Sequence, residues 1–273
     1  MGSLLMAKGL SPGNPPESWN VSNPVKVQEI HQDYFKAGSD AVLTNTFGGS
    51  RLKLEAHDHG DKIEEYNQKA VELAKSVCPD GCYVAGDIGP SGKFLPPLGD
   101  VSIDDFFNNF LEQASILAKA GADFFFIETM VDLLEAEAAV KAAKKVSNIP
   151  IFASITYQKT KRGYFTIMGN SVDHCIDILE KAGASVIGAN CTIGSDEMID
   201  IVPLMKAGTE KPISVKPNAG KPNLIYGETV YPTKPINFAQ DLTKMIFHGA
   251  RIVGGCCGTN PEFIKVITRQ LKV

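Results

Sequence analysis

The sequence predicts an α/β fold, a (β/α)8 TIM barrel lacking the usual first strand. Short apolar runs alternate with longer amphipathic segments, the pattern of repeated strand and helix units around a parallel sheet. The count is seven strands and eight helices, beginning with a helix. Small and polar residues cluster where the strands end: Thr44-Asn45-Thr46, Asp87, Glu128, Asn190-Cys191, Asn218 and Cys256-Cys257. In a barrel these converge on the face that carries the chemistry of barrel enzymes. An open doubly wound sheet is the alternative architecture.

In chain order, residues 11–21 (SPGNPPESWNV) are rich in Pro, Ser and Asn and read as a loop, one able to lie across the place of the absent strand. An amphipathic stretch at 24–37 leads into the strand-like run 40–46 (DAVLTNT), and 61–77 leads into 83–89 (YVAGDIG). Helix-like 103–120 precedes the aromatic run 122–129 (ADFFFIET), and 131–146 precedes 149–156. The remaining pairs are 172–181 with 185–191, 195–206 with 211–217, and 237–247 with 251–257, before a last helix at 261–272. Residues 1–273 are expected to form a single domain.

Composition bounds the function. A chain of 273 residues with 44% hydrophobic and 21% charged residues and a net charge of −4 is a globular protein with a sizeable core. No basic cluster suggests nucleic acid or an anionic lipid surface, and no apolar stretch approaches the roughly 18 residues of a membrane span. Six cysteines without a secretory signal peptide point to a reducing compartment, and the expected location is cytoplasmic.

The cysteines carry the strongest chemical signal. Gly254-Gly255-Cys256-Cys257-Gly258 holds two in a row, and Gly188-Ala189-Asn190-Cys191 ends another apolar run. Neighbouring side chains of a regular strand point to opposite faces, so adjacent cysteines share a metal only where the chain leaves the sheet. The flanking glycines permit that bend. Three thiolates meeting at one rim suggest a zinc site with its fourth tetrahedral position open, a catalytic layout able to activate a substrate thiol. The competing reading is that cysteine often serves as a small core residue, which suits Cys78, Cys82 and Cys175. His57 and His59 read as a solvated helix start.

Other strand-end residues have two readings each. Glu128 is either a substrate-binding carboxylate or a partner for a nearby lysine or backbone amide. Asn45 and Asp87 are substrate candidates, although an aspartate before Ile88-Gly89-Pro90 also commonly satisfies turn amides. Asn218 opens a long loop to Pro235 that is able to fold over the mouth, and loops of that length are usually functional.

These residues resemble a family. Thr44-Asn45-Thr46-Phe47-Gly48, Gly86-Asp87-Ile88-Gly89-Pro90, Glu128-Thr129, Gly188-Ala189-Asn190-Cys191, Lys216-Pro217-Asn218-Ala219-Gly220 and Gly254-Gly255-Cys256-Cys257-Gly258-Thr259 are similar to the zinc-dependent homocysteine S-methyltransferases. The likeness is greatest to the homocysteine-binding barrel of cobalamin-dependent methionine synthase. It implies Cys191, Cys256 and Cys257 as zinc ligands, Glu128 on the substrate ammonium, and Asn218 beside the metal. It also implies a first strand ending in an Asp-Gly-Ala-Met-Gly-Thr-like turn, of which Met1-Gly2-Ser3 resembles the tail; the aspartate that would assist Glu128 is not in this sequence.

The expected reaction is methyl transfer to the homocysteine thiol, giving methionine. Folate, corrinoid and reactivation domains do not fit in this length, and the corrinoid signature Asp-x-His-x-x-Gly is missing, so methylcobalamin is expected on a separate corrinoid protein. Two alternatives stay open: a small donor such as S-methylmethionine or a betaine-like compound, and a non-catalytic zinc-holding barrel.

Overall fold

The computed structural model describes residues 1–11, 13–225 and 228–271. Eleven strands are formed among them: β1 Ala41–Leu43, β2 Tyr83–Ile88, β3 Phe124–Met130, β4 Ile151–Ile155, β5 Gln158–Thr160, β6 Gly163–Phe165, β7 Val186–Gly194, β8 Ile213–Asn218, β9 Asn223–Ile225, β10 Glu228–Val230 and β11 Ala250–Val253. Seven of them make one parallel sheet in the order β1-β2-β3-β4-β7-β8-β11, as the sequence predicts. β5 with β6 and β9 with β10 are antiparallel hairpins inserted after β4 and β8.

The sheet is curled. Its two ends are brought together from outside, where Thr268 Oγ1 of the last helix, Pro261–Leu271, donates to Ala37 O just after helix Pro24–Lys36 at 3.0 Å. β1 and β11 are not paired with one another, and the place between them is that of the missing strand. The architecture is thus a TIM-type barrel short of one strand.

β3 shows how sequence alternation builds both surfaces of this wall. Phe125 and Ile127 face outward into the large core formed with the surrounding helices. Phe124 and Phe126 face inward, where they join Ala85, Leu43 and Phe152 in the barrel interior. Phe124 and Phe152 stack with centroids 4.4 Å apart. Period-two alternation then points Glu128 into the interior above Phe126, and Asp87 likewise two residues beyond Ala85. The helix Ile103–Lys119 buries Phe106, Phe110, Ala114 and Leu117, one stripe at helical spacing, and begins with a Ser102–Asp105 capping box.

Three expectations need correction. The stretch 195–206 is not one helix but two, Ser195–Met198 and Ile201–Gly208. Pro203 is the reason, since it has no N–H to bond a carbonyl four residues back and is tolerated only in a first turn. Residues 11–21 are not wholly loop: Pro16–Ser18 is a 3-10 turn and Trp19–Ser22 a helical turn, while Pro12 lies outside the described residues. Gly2–Ala7 is helical and buries Leu5 in a cluster with Trp19, Val27, Ile30 and Leu73. The C-terminal ends of the 40–46 and 251–257 runs also leave the sheet earlier than the apolar pattern suggests.

Candidate metal centre and acceptor site

Local backbone irregularity brings the three thiols together. The pairing of β7 with β8 shifts between Asn190 and Gly194, and Cys191 and Thr192 take left-handed φ values of 62° and 59°. That conformation is costly for residues with a Cβ and recurs at functional sites. Beyond β11 the chain is held to β8 by Cys256 N–H on Pro217 O at 2.8 Å and by Ala219 N–H on Cys257 O at 2.9 Å. Gly258 turns it away with φ +79°. Adjacent Cys256 and Cys257 thereby face the same point.

Their sulfurs and that of Cys191 all lie within 4.8 Å of one another, and Cys191 Sγ is 3.9 Å from Cys257 Sγ. Tetrahedral zinc with Zn–S bonds of about 2.3 Å has sulfurs about 3.8 Å apart. The three residues therefore fit such an ion on one side and leave its other side to the barrel mouth. Hydrogen bonds within the triad divide the protons unequally. Cys191 is pushed up by its bonds to Cys256 and Cys257, and Cys257 is pulled down to about 3 by bonds from Cys191 and Cys256.

Polar side chains frame the thiols. Asn190 Nδ2 lies 3.9 Å from Cys256 Sγ, 2.8 Å from Glu128 Oε2 and 2.8 Å from Thr129 Oγ1, while Asn190 Oδ1 accepts the Thr129 N–H at 2.9 Å. Asn218 Oδ1 accepts the Cys257 N–H at 3.1 Å, which places Asn218 beside the cysteines. Glu128 is in the interior and pairs with Lys216 Nζ at 2.6 Å. Asp87 shares that interior and feels the Glu128 charge; burial first and Glu128 second push its carboxyl well above the usual aspartate range. The expected long loop from Asn218 to Pro235 carries the β9–β10 hairpin, and part of it lies outside the described residues; after the hairpin Tyr231 is seated against Gly258, where a Cβ would lie 2.2 Å from its ring. Burial and the neighbouring Cys257 push the Tyr231 hydroxyl up to about 12.

Asn45 is not brought to the thiols. Its amide donates to Pro16 O at 2.8 Å and Asn20 Oδ1 at 2.9 Å, which ties the 16–20 segment to the end of β1. His57 and His59 bond to Gly13 O and the Tyr66 hydroxyl. Cys175 is buried in the main core, and Cys78 and Cys82 pack at the edge of another cluster. Sequence reasoning named the motifs around Asn190, Thr129 and Lys216 but gave these three no role, and it passed over Tyr231. Asn190 was the most accessible of them, as a polar residue directly before a strand-end cysteine.

Known proteins bear on this geometry. A family model described as homocysteine S-methyltransferase matches residues 1–271. The methionine synthase of Mycobacterium tuberculosis (strain ATCC 25618 / H37Rv) is 35% identical over 263 residues, covering 92% of this chain and 22% of that protein. The methionine synthase of Mycobacterium leprae (strain TN) is 34% identical over the same shares. The chain thus spans about a fifth of the length of these curated relatives. Among solved structures, the metallated homocysteine methyltransferase MmuM from Escherichia coli has a TM-score of 0.82 at 23% identity, covering 98% of this chain and 93% of that one, a likeness of fold. With a family model matching almost end to end and a third of its residues shared with methionine synthases, this seven-stranded barrel belongs to the homocysteine S-methyltransferase family.

Proposed function

We propose that this chain binds homocysteine at a zinc ion held by Cys191, Cys256 and Cys257 and methylates its sulfur, giving methionine. The observation that carries this reading is the convergence of three thiols, from two separate strand ends, to within 4.8 Å at the barrel mouth. Zinc bound there supplies charge that lowers the acceptor thiol's pKa while three thiolates keep the sulfur electron-rich. The chain's own residues do the rest. Asn190 and Asn218 orient Cys256 and the Cys257 backbone, as outer partners of metal ligands do. Glu128 and Asp87 face the interior below and suit the acceptor's ammonium, while Asn45 supports the rim through the 16–20 segment.

The methyl donor in this reading is methylcobalamin on a separate corrinoid protein, supported by the identity to methionine synthases. The acceptor sulfur forms a bond to the methyl carbon, the cobalt–carbon bond breaks with its electron pair left on cobalt, and the thiol proton goes to solvent. The whole chain acts as one barrel domain, and among the described residues no helix is long and apolar enough to cross a membrane. Zinc X-ray absorption with and without homocysteine tests the acceptor. A rise from three to four sulfur ligands supports the reading; an unchanged count refutes it and favours a non-catalytic barrel. Parallel assays with methylcobalamin and with S-methylmethionine decide the donor.

A further inference from the structure

Among the described residues, four that are not glycine take left-handed φ values: Asp58, Thr129, Cys191 and Thr192. For a branched residue such as Thr129, at φ 59°, that conformation is a true outlier, and it persists only where the surroundings over-determine it. Thr129 stands where the pairing of β3 with β4 shifts, between Ile127 and Met130, as Cys191 and Thr192 stand where β7 shifts against β8.

One side chain joins the two distortions. Asn190 Oδ1 accepts the Thr129 N–H at 2.9 Å, and Asn190 Nδ2 donates to Thr129 Oγ1 and to Glu128 Oε2, both at 2.8 Å. The residue after β4 holds the other end of Asn190: Thr156 Oγ1 donates to Asn190 O at 3.1 Å, while the Thr156 N–H donates to Met130 O at 2.9 Å. Asn190 and Thr156 are both buried. With its carboxamide tied to β3 and its carbonyl tied to the end of β4, Asn190 has a fixed orientation, and so has the peptide that leads to Cys191.

The direction of the Cys191 sulfur depends on that peptide. Ile187 and Ala189 of β7 face the outer core, and Asn190 faces the interior. Regular alternation would send Cys191 outward after Ala189, away from the other two thiols. The left-handed turn at Cys191, φ 62°, aims its sulfur along the rim instead, 3.9 Å from Cys257 Sγ. Among the described residues neither Thr129 nor Thr156 hydrogen-bonds to a sulfur of the triad; their bonds go to Asn190.

We propose that Thr129 and Thr156 are positioning residues for the metal: by holding Asn190 at both ends they keep Cys191 in the left-handed conformation that makes it a ligand. The proposal rests on the zinc reading of the three cysteines.

Chelator competition on the zinc-loaded protein tests it. Thr129→Val and Thr156→Val keep the shape of each side chain and remove its hydrogen bond to Asn190. Each is expected to weaken zinc binding about 10–100-fold, as loss of an outer partner of a ligand does. Thr156→Ser, which keeps the donor, is expected to stay near wild type; a loss as large as that of Thr156→Val would assign the effect to packing and overturn the role of the bond. The same valine substitutions made in Cys191→Ser are expected to change nothing further, because no sulfur is left at that position to be aimed, whereas a merely structural role would weaken zinc in both backgrounds alike. Should the buried Thr156→Val not fold, the half-buried Thr129→Val carries the same comparison. No loss from the valine substitutions, or an equal loss in both backgrounds, overturns the proposal and leaves the ligand set standing, provided Cys191→Ser alone weakens zinc. Unchanged zinc affinity in Cys191→Ser overturns the ligand set and this proposal together.

Discussion

Cys257 is the most exposed of the three rim thiols; its Sγ lies 3.9 Å from Cys191 Sγ, and its backbone N–H donates to Asn218 Oδ1 at 3.1 Å. Cys257→Ser is expected to lose most of its zinc and all methyl transfer, a larger effect than the roughly 10–100-fold cost of removing an outer partner of a ligand. Metal analysis after dialysis and an activity assay check it, and full zinc with normal turnover would remove Cys257 from the ligand set. Glu17 gives a second prediction far from the thiols. It is buried, accepts the Gly48 N–H at 2.6 Å, and is pushed above its ordinary value of 4.5 by burial, against the pull of those backbone bonds and of His57 and Lys53. The folded state thus holds this proton more tightly than the unfolded chain, so the stabilising contribution is present below about pH 4.5 and is lost as pH rises through the folded value. Glu17→Gln, always neutral and still able to accept from Gly48, is expected to flatten the pH dependence of stability between pH 5 and 7.5. Urea unfolding midpoints of both proteins at the two pH values measure the slope; parallel slopes would count against it.

At the scale of elements, the loop after β8 and the turn after Cys257 lean on each other. Gly258→Ala would place a Cβ at φ +79° and 2.2 Å from the Tyr231 ring. Backbone strain of about 1–3 kcal/mol, with displacement of Tyr231 from Cys257, is expected to weaken metal affinity, as a competition titration with a chelator would reveal. On the outer layer, Ser102→Ala removes a capping box from the helix Ile103–Lys119 and is expected to cost about 1 kcal/mol in urea unfolding, with metal affinity unchanged. These elements differ in how far the sequence discloses them. The helix Ile103–Lys119 was legible within one residue at its C-terminal end, because Ser102 marks its start and an apolar stripe runs its length. Pro203 was in plain view yet overlooked as a helix breaker. The helices Gly2–Ala7 and Arg51–Glu55 are under two turns long, too short for periodicity to register. The thiols were legible because glycine-framed cysteines at strand ends are a local pattern. Lys216 was not, since its pairing with Glu128 spans 88 positions in sequence and depends on the curvature of the sheet. The surroundings of Asn45 were not legible for a related reason: its partners Pro16 and Asn20 belong to a stretch that reads as loop.

Across the whole molecule, the barrel is closed by helices on the outside and left open between two strands within. Among the described residues, β1 and β11 each present one side that no neighbouring strand covers, a condition that natural sheets manage by blocking or covering the edge. Outer closure rests in part on the contact of Thr268 with Ala37. β11 is four residues long and carries a register irregularity against β8. Cys256 and Cys257 follow it after Gly254-Gly255, and Cys191 lies in β7, two strands further in. An ion shared by the three sulfurs would then work as a mechanical clasp, fastening the frayed end of the wall to an interior strand across β8. The acceptor chemistry and the integrity of the wall would hang on the same three bonds. Stripping zinc is expected to lower stability by about 4 kcal/mol relative to protein in a thousandfold excess of metal over its Kd. Hydrogen exchange should speed first in β11 and helix Pro235–Phe247, with β3 still protected. Uniform loosening, or none, would mean that the wall stands without its clasp.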